Sequence, residues 1–247
     1  MPNLVTSDRF GAVLFDMDGV ITDTASIHAR CWKTMFDEYL ERRARRSTEP
    51  FRGFNLDTDY KLYVDGKPRY AGVRDFLVSR GIALPEGTPE DPATHETVCG
   101  LGNRKNQLFN EQVAATGVEA YSGSVAFLKH LRGLGLKSAL VTSSHNAKSI
   151  LHAAKIAEFF DACVDGEVAV EQGLEGKPAP DYFLKAAEML SVPPDRAVVI
   201  EDALSGVEAG ARGGFALVIG VARHGNGDAL KAHGAHVVVH DLAELLS

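Results

Sequence analysis

Two aspartates stand one residue apart in VLFDMDGVITDT (Val13–Thr24), directly after an apolar run and directly before a glycine. Carboxylates are costly at the end of a buried strand, so their chemistry has to repay the placement. In an extended segment residues i and i+2 point to the same side, so Asp16 and Asp18 can serve one site, with Gly19 permitting a sharp turn. Two close carboxylates repel unless a proton or a cation lies between them. A divalent cation is the simplest resolution, and an oxygen-only donor set suits Mg²⁺. An EF-hand loop needs its glycine at the sixth position, and here it comes at the fourth, which excludes that reading. On this pair alone, an Asp-rich strand-ending turn and a catalytic carboxylate pair both stay open.

Later strand ends add to the pair. The run Leu136–Val141 is followed by Thr142, with Ser143, Ser144 and Asn146 behind it. Such residues also favour helix N-caps, and some of them have that ordinary use. Gly176–Lys177–Pro178 sets a lysine before a helix, and the apolar run Ala197–Ile200 ends in Glu201–Asp202. Each feature is weak alone. Together they bring carboxylates, a hydroxyl and an ammonium to successive strand ends, the edge where α/β sheets bind ligands.

The elements that must carry these groups follow from the alternation of short apolar runs and helix-length segments. Strands are expected at 12–15, 136–141, 162–164, 197–200, 215–221 and 236–239. Helices are expected at about 146–155, after Pro180 and at 205–212. This pattern means βαβ units and a parallel sheet flanked by helices. The first strand lies more than a hundred residues before the second. The segment between opens with the helical pattern ASIHARCWKTMFDEYLERRARR, runs through a polar, Gly/Pro-punctuated stretch, and closes on a second helical pattern near 105–115. The expected fold class is therefore α/β: a Rossmann-like parallel sheet core at 1–23 and 117–247, with an inserted, mostly helical domain at 24–116 over the carboxyl edge.

Composition narrows the function classes. The chain has 247 residues, 45% of them hydrophobic, and a formal net charge of −7. That charge argues against a nucleic-acid partner, which would want a basic footprint. The strongly apolar run Phe215–Ala222 is far short of the about 20 residues a membrane span needs. MPNLVTSDRF lacks the basic and apolar regions of a signal peptide. Three scattered cysteines (Cys31, Cys99 and Cys163) suit reduced thiols, so the expected place is the cytoplasm. A monomer is the expected state. The run Glu41–Arg46 reads as a solvated helix end whose cations complement the dipole.

The ordered set Asp16-Met-Asp18-Gly-Val20, Thr142, Lys177 and Glu201–Asp202 resembles the signature of the haloacid dehalogenase superfamily over essentially the whole core. The insertion after the first motif resembles the helical cap of its subfamily I. Within that superfamily Gly19–Lys33, with Thr24, His28 and Trp32, resembles the β-phosphoglucomutases. Asn103–Asn106 matches the cap segment whose lysine, here Lys105, faces the substrate. GKPAPDYF (Gly176–Phe183) is typical of the superfamily and shared with many of its phosphatases. From about 43 to 100 the chain departs from the compact mutases and is longer. There Arg74 is the candidate for the arginine that grips the non-reacting phosphate.

The resemblance implies phosphoryl transfer on a sugar phosphate. Asp16 is the implied nucleophile and Asp18 the implied general acid/base. Thr142 would donate to the phosphoryl group, and Lys177 would neutralise it. The implied Mg²⁺ set is Asp16, Asp18 (through its backbone carbonyl), Glu201 and Asp202. Implied substrate contacts are Thr24, His28, Trp32, Arg74, Lys105, Ser143, Ser144 and Asn146. The implied cofactors are Mg²⁺ and, for a mutase, glucose 1,6-bisphosphate as activator; the implied partner is a small sugar phosphate. A phosphatase using the same residues is the nearest alternative. A 2-haloacid dehalogenase fits less well, because the lysine and the acidic pair favour metal-dependent phosphate chemistry. A sugar-phosphate sensor is the alternative from another class.

Overall fold

The computed structural model describes residues 4–46, 50–223 and 225–246. The signal-peptide reading falls partly on residues 1–3, which lie outside that set. The chain divides into two compact units, Met1–Thr24 with Val118–Ser247, and Ala25–Gly117.

In the first unit, six strands are described: β1 (Ala12–Phe15), β2 (Lys137–Val141), β3 (Ala162–Val164), β4 (Ala197–Glu201), β5 (Leu217–Val221) and β6 (Val237–Val239). They pair in parallel in the order β3-β2-β1-β4-β5-β6. The central strands are apolar along their whole length because helices cover both faces of the sheet; β1 and β4 are buried at every residue. Helices α4 (Ser122–Gly133), α5 (Ala147–Ala153), α6 (Gly166–Gln172), α7 (Asp181–Met189), α8 (Leu204–Arg212) and α9 (Gly227–Ala232) fill the crossovers. On one face Tyr182, Phe183, Ala186, Val207 and Ala209 pack on Leu14, Val199 and Val218. Phe15 is level with Leu140 on one side and Ile200 on the other. The residues that follow these three therefore emerge at one edge.

The second unit contains α1 (Ala25–Arg45), α2 (Arg69–Ser79) and α3 (Val98–Thr116). Its core is an aromatic cluster: Phe36, Phe54 and Phe76 are fully buried, with centroids 4.1–5.0 Å apart. Burying each ring is worth about 1.5–3 kcal/mol. The stretch read as polar and punctuated holds two helices that the sequence reading did not see. One is α2, begun by Pro68. The other is a π-helix at Leu56–Val64, capped by the Asn55 side chain accepting from Asp57 N and Thr58 N. Arg80 secures that π-helix: it donates to Asp59 at 2.6 Å and to the Arg52 and Gly53 carbonyls, while stacking on Phe76. Polar residues held by this guanidinium hide the apolar spacing that would have announced a helix. The closing helix α3 also starts earlier than expected, at Val98, where Thr97 caps it through Gly100 N. The basic end of α1 reads as expected, with Arg42 and Arg46 paired to Glu96.

Candidate active site

Asp16 is the first residue past β1, and its N–H donates to the Ile200 carbonyl at 2.9 Å, carrying the strand pairing one step beyond Phe15. Its carboxylate is nearly buried and accepts from Lys177 Nζ at 2.5 Å. The same ammonium donates to Glu201 Oε1 at 2.6 Å and lies over the Phe183 ring. Glu201 ends β4, and its Oε2 accepts from the N–H groups of Asp202 and Ala203 at 2.9 Å. Strand order decides this meeting, because β1 lies between β2 and β4 and Lys177 reaches across from the β3–α7 connection. It also passes the Val141 carbonyl, at 3.4 Å.

Charge does not balance here. Burial and the Glu201 charge push the Asp16 carboxyl well above the usual carboxylate range, with Lys177 only partly opposing them. Burial alone would lower Lys177, but Asp16 and Glu201 outweigh it and hold the ammonium protonated above its ordinary value. Asp16, Glu201 and Asp202 each offer an oxygen within 4.8 Å of the others. Three carboxylates against one ammonium leave a surplus of negative charge, and all the donors are oxygens. The residues present therefore fit a hard divalent cation such as Mg²⁺.

Asp18 sits on the turn after Asp16. Thr24 Oγ1 donates to Asp18 Oδ1, and Thr24 in turn shares a 2.8 Å hydrogen bond with Thr22. Both threonines are fully buried. Gly19 has φ +87°, and a Cβ there would lie 1.9 Å from Asp202 Oδ2, so only glycine lets the two acidic loops approach this closely.

Thr142 continues β2, donating its N–H to the Val164 carbonyl at 2.9 Å; it is buried, and its Oγ1 accepts from Ser144 N. Ser144 Oγ accepts from Asn146 N at 3.1 Å. The hydroxyls of Thr142 and Ser144 thus shape the turn that precedes α5; they do not cap the helix, whose N-cap residue Asn146 makes no side-chain capping bond. Ser143 lies on the same turn, half-buried.

In the other unit, His28, Trp32 and Lys105 come together. Lys105 is buried, with its ammonium against His28 Nδ1 and over the rings of Trp32 and Phe109 at 5.1 and 5.2 Å. His28 stacks on Phe109 at 4.1 Å. Arg74 makes different contacts: it is exposed on α2 and forks onto Glu86, at 2.5 Å from Oε1.

Three supporting residues escaped the sequence reading. Thr22 stood in plain view beside Thr24, but nothing marked it as a partner. Gly206 of α8 makes room for Glu201, since a Cβ there would lie 1.7 Å from Oε1; a glycine inside a helix was the available signal. Asn226 donates from Nδ2 to the Asp202 carbonyl at 3.2 Å, and nothing local in the sequence signals that contact.

Known proteins resemble this chain over most of its length. Residues 10–214 match the haloacid dehalogenase-like hydrolase family. A beta-phosphoglucomutase of Mycobacterium bovis is 50% identical over 242 residues, covering 97% of this chain and 92% of that protein. A beta-phosphoglucomutase of Bacillus subtilis is 32% identical, covering 95% and 91%. Among solved structures, a beta-phosphoglucomutase of Clostridium difficile aligns with a TM-score of 0.72 at 25% identity, over 96% of this chain and 93% of that one.

Proposed function

The chain belongs to the haloacid dehalogenase-like hydrolase family, and from that premise we propose that it is a β-phosphoglucomutase, converting β-glucose 1-phosphate to glucose 6-phosphate through an aspartyl phosphate. The observation that carries this reading is the buried Asp16 carboxylate held by Lys177, two residues before an Asp18 held by Thr24. Half-identity to a named mutase over nearly the full chain supports it.

In this reading an Asp16 oxygen attacks phosphorus, and the bond from phosphorus to the leaving oxygen breaks. Asp18 delivers a proton to that oxygen, and later takes one from the accepting sugar hydroxyl. Thr142 and Lys177 steady the phosphoryl oxygens. Mg²⁺ would be held by the Asp16 carboxylate, the Asp18 backbone carbonyl and Asp202, and would neutralise the charge gathering during transfer. Glu201, whose oxygens hold Lys177 and the Asp202–Ala203 turn, serves that set by positioning it. Glucose 1,6-bisphosphate primes Asp16 by giving up one phosphate. The bisphosphate formed from β-glucose 1-phosphate must turn over within the site, so water has to be kept from phospho-Asp16. His28, Trp32, Lys105, Arg74, Ser143, Ser144 and Asn146 are assigned to the substrate, the first four from the cap. Cys31, Cys99 and Cys163 are free thiols, which suits a reducing compartment such as the cytoplasm; no helix among the described residues is long and apolar enough to cross a membrane.

Phosphorus NMR of β-glucose 1-phosphate with enzyme, Mg²⁺ and catalytic glucose 1,6-bisphosphate tests the proposal. Glucose 6-phosphate in large excess over free phosphate, abolished in Asp16→Ala, is expected. Free phosphate alone replaces the mutase with a sugar-phosphate phosphatase on the same residues.

A further inference from the structure

Arg223, two residues past β5, has no part in the chemistry above, yet its guanidinium is largely buried, with 11% of the side chain exposed. Every nitrogen is directed at an acceptor. Nε donates to the Gly19 carbonyl at 2.9 Å. One terminal nitrogen donates to Asp241 Oδ2 at 2.5 Å, and the other reaches the Val20 carbonyl at 3.4 Å and Ser124 Oγ at 3.2 Å. The guanidinium plane also lies 3.6 Å from the centroid of the Tyr121 ring. Burying a cation is costly unless its donors are satisfied, and only a planar fork meets this set of partners.

The partners are informative. Gly19 and Val20 directly follow Asp18. Tyr121 and Ser124 begin the chain's return from the inserted unit. The outgoing and returning segments are themselves joined: Asp23 N donates to the Glu119 carbonyl at 3.1 Å, Tyr121 N to the Ile21 carbonyl at 2.9 Å, and Tyr121 Oη to Asp23 Oδ1 at 2.9 Å. Ser124 Oγ closes the set by donating to the Val20 carbonyl at 2.6 Å. Three residues further along the β5 loop, Asn226 holds the Asp202 carbonyl. One loop thus braces the turn of Asp18 and the backbone of Asp202.

We propose that Arg223 is a positioning residue for Asp18. It fixes the Gly19 and Val20 carbonyls, and so the turn that carries Asp18, and it roots both chain segments leading to the cap in the α/β unit. The proposal rests on the reading of Asp18 as general acid/base. Misplacing an acid matters in proportion to how much proton the leaving group needs.

The test compares two donors in Arg223→Lys and in Asp241→Asn; the latter loosens the fork while keeping Arg223. β-Glucose 1-phosphate has a poor leaving oxygen that needs Asp18, whereas the burst of p-nitrophenolate from p-nitrophenyl phosphate reports attack by Asp16 with little need of a proton. Sugar-phosphate turnover is expected to fall roughly ten- to hundredfold while the burst rate stays near wild type. Equal losses on both donors, or no loss on either, overturn the proposal. Amide exchange gives a second readout that needs no substrate. Gly19, Ile21 and Thr22 are expected to lose protection relative to Leu14 of β1 in both variants, and wild-type protection there overturns the proposal whatever the kinetics. A wild-type enzyme that leaves β-glucose 1-phosphate untouched defeats the functional reading instead, and amide exchange still decides the role of Arg223.

Discussion

Lys177 donates to Asp16 across 161 residues of sequence, at 2.5 Å, in a place where the lysine side chain has no exposure. A buried ammonium between two carboxylates is a structural commitment as well as a functional one. Lys177→Met leaves Asp16 and Glu201 facing each other without compensation. Removing one partner of a buried ion pair costs about 3–5 kcal/mol. Urea unfolding of the metal-free variant should show a loss of that order, and Mg²⁺ should recover part of it. Turnover should fall even where the fold is restored.

Acidity offers a second check. Burial and the Glu201 charge raise Asp16 well above the ordinary carboxylate value of 3.8. Attack on phosphorus needs the ionised form, so kcat/KM should fall as pH drops through that raised value rather than near 3.8. A cation competes with the proton for the same oxygens. Raising Mg²⁺ should therefore move the acidic limb to lower pH, as pH–rate profiles at two Mg²⁺ concentrations would show. A limb that ignores Mg²⁺ would separate Asp16 from the metal.

Thr24 keeps Asp18 in place through one hydroxyl, itself held by Thr22. Thr24→Val preserves shape but removes that donor and leaves the buried Thr22 hydroxyl with one partner fewer. Losing a hydrogen bond to a charged group is worth about 1.5–3 kcal/mol. A fall in kcat of roughly ten- to a hundredfold is expected, since 1.36 kcal/mol is about a factor of ten. KM should change little, and Thr24→Ser should recover most of the loss.

Gly206 never touches substrate, yet Glu201 depends on it. Gly206→Ala places a methyl where Glu201 Oε1 now lies, 1.7 Å from the built Cβ. Neither the strand nor the helix backbone can yield cheaply, so about 1–3 kcal/mol of destabilisation is expected. Displacing Glu201 also shifts Lys177, so activity should fall with stability. Glycine-to-alanine changes in exposed helices act oppositely or weakly, and calorimetry on a Gly133→Ala control, where a Cβ meets nothing within 4 Å, separates the two cases.

Much of the site was legible in the chain because Asp16, Thr142 and the Glu201–Asp202 pair each follow an apolar run. Strand burial is a local, periodic property, so the positions of Asp16, Thr142, Glu201 and Asp202 at the sheet's carboxyl edge followed from residue types alone. The same held for α1, whose apolar spacing placed His28 and Trp32 on one helix. The π-helix at Leu56–Val64 was not legible, because it is held by Asn55 and Arg80 meeting partners that carry no periodic signal; α2 does carry an apolar spacing at Val73, Phe76 and Leu77, which went unread inside a polar, Gly/Pro-punctuated stretch.

What the sequence determined by itself was an inventory: two aspartates on a turn, a threonine, a lysine and an acidic pair, each at the end of an element whose type its own neighbours dictate. Tertiary structure alone decided which of them meet. Strand order β2-β1-β4 puts Lys177 between Asp16 and Glu201, and the return of the chain through β5 brings Arg223 onto Gly19 and Asn226 onto Asp202. The reason is physical. Burial and periodicity act over a few residues, whereas charge compensation and close approach act through space between segments from 24 to 204 residues apart.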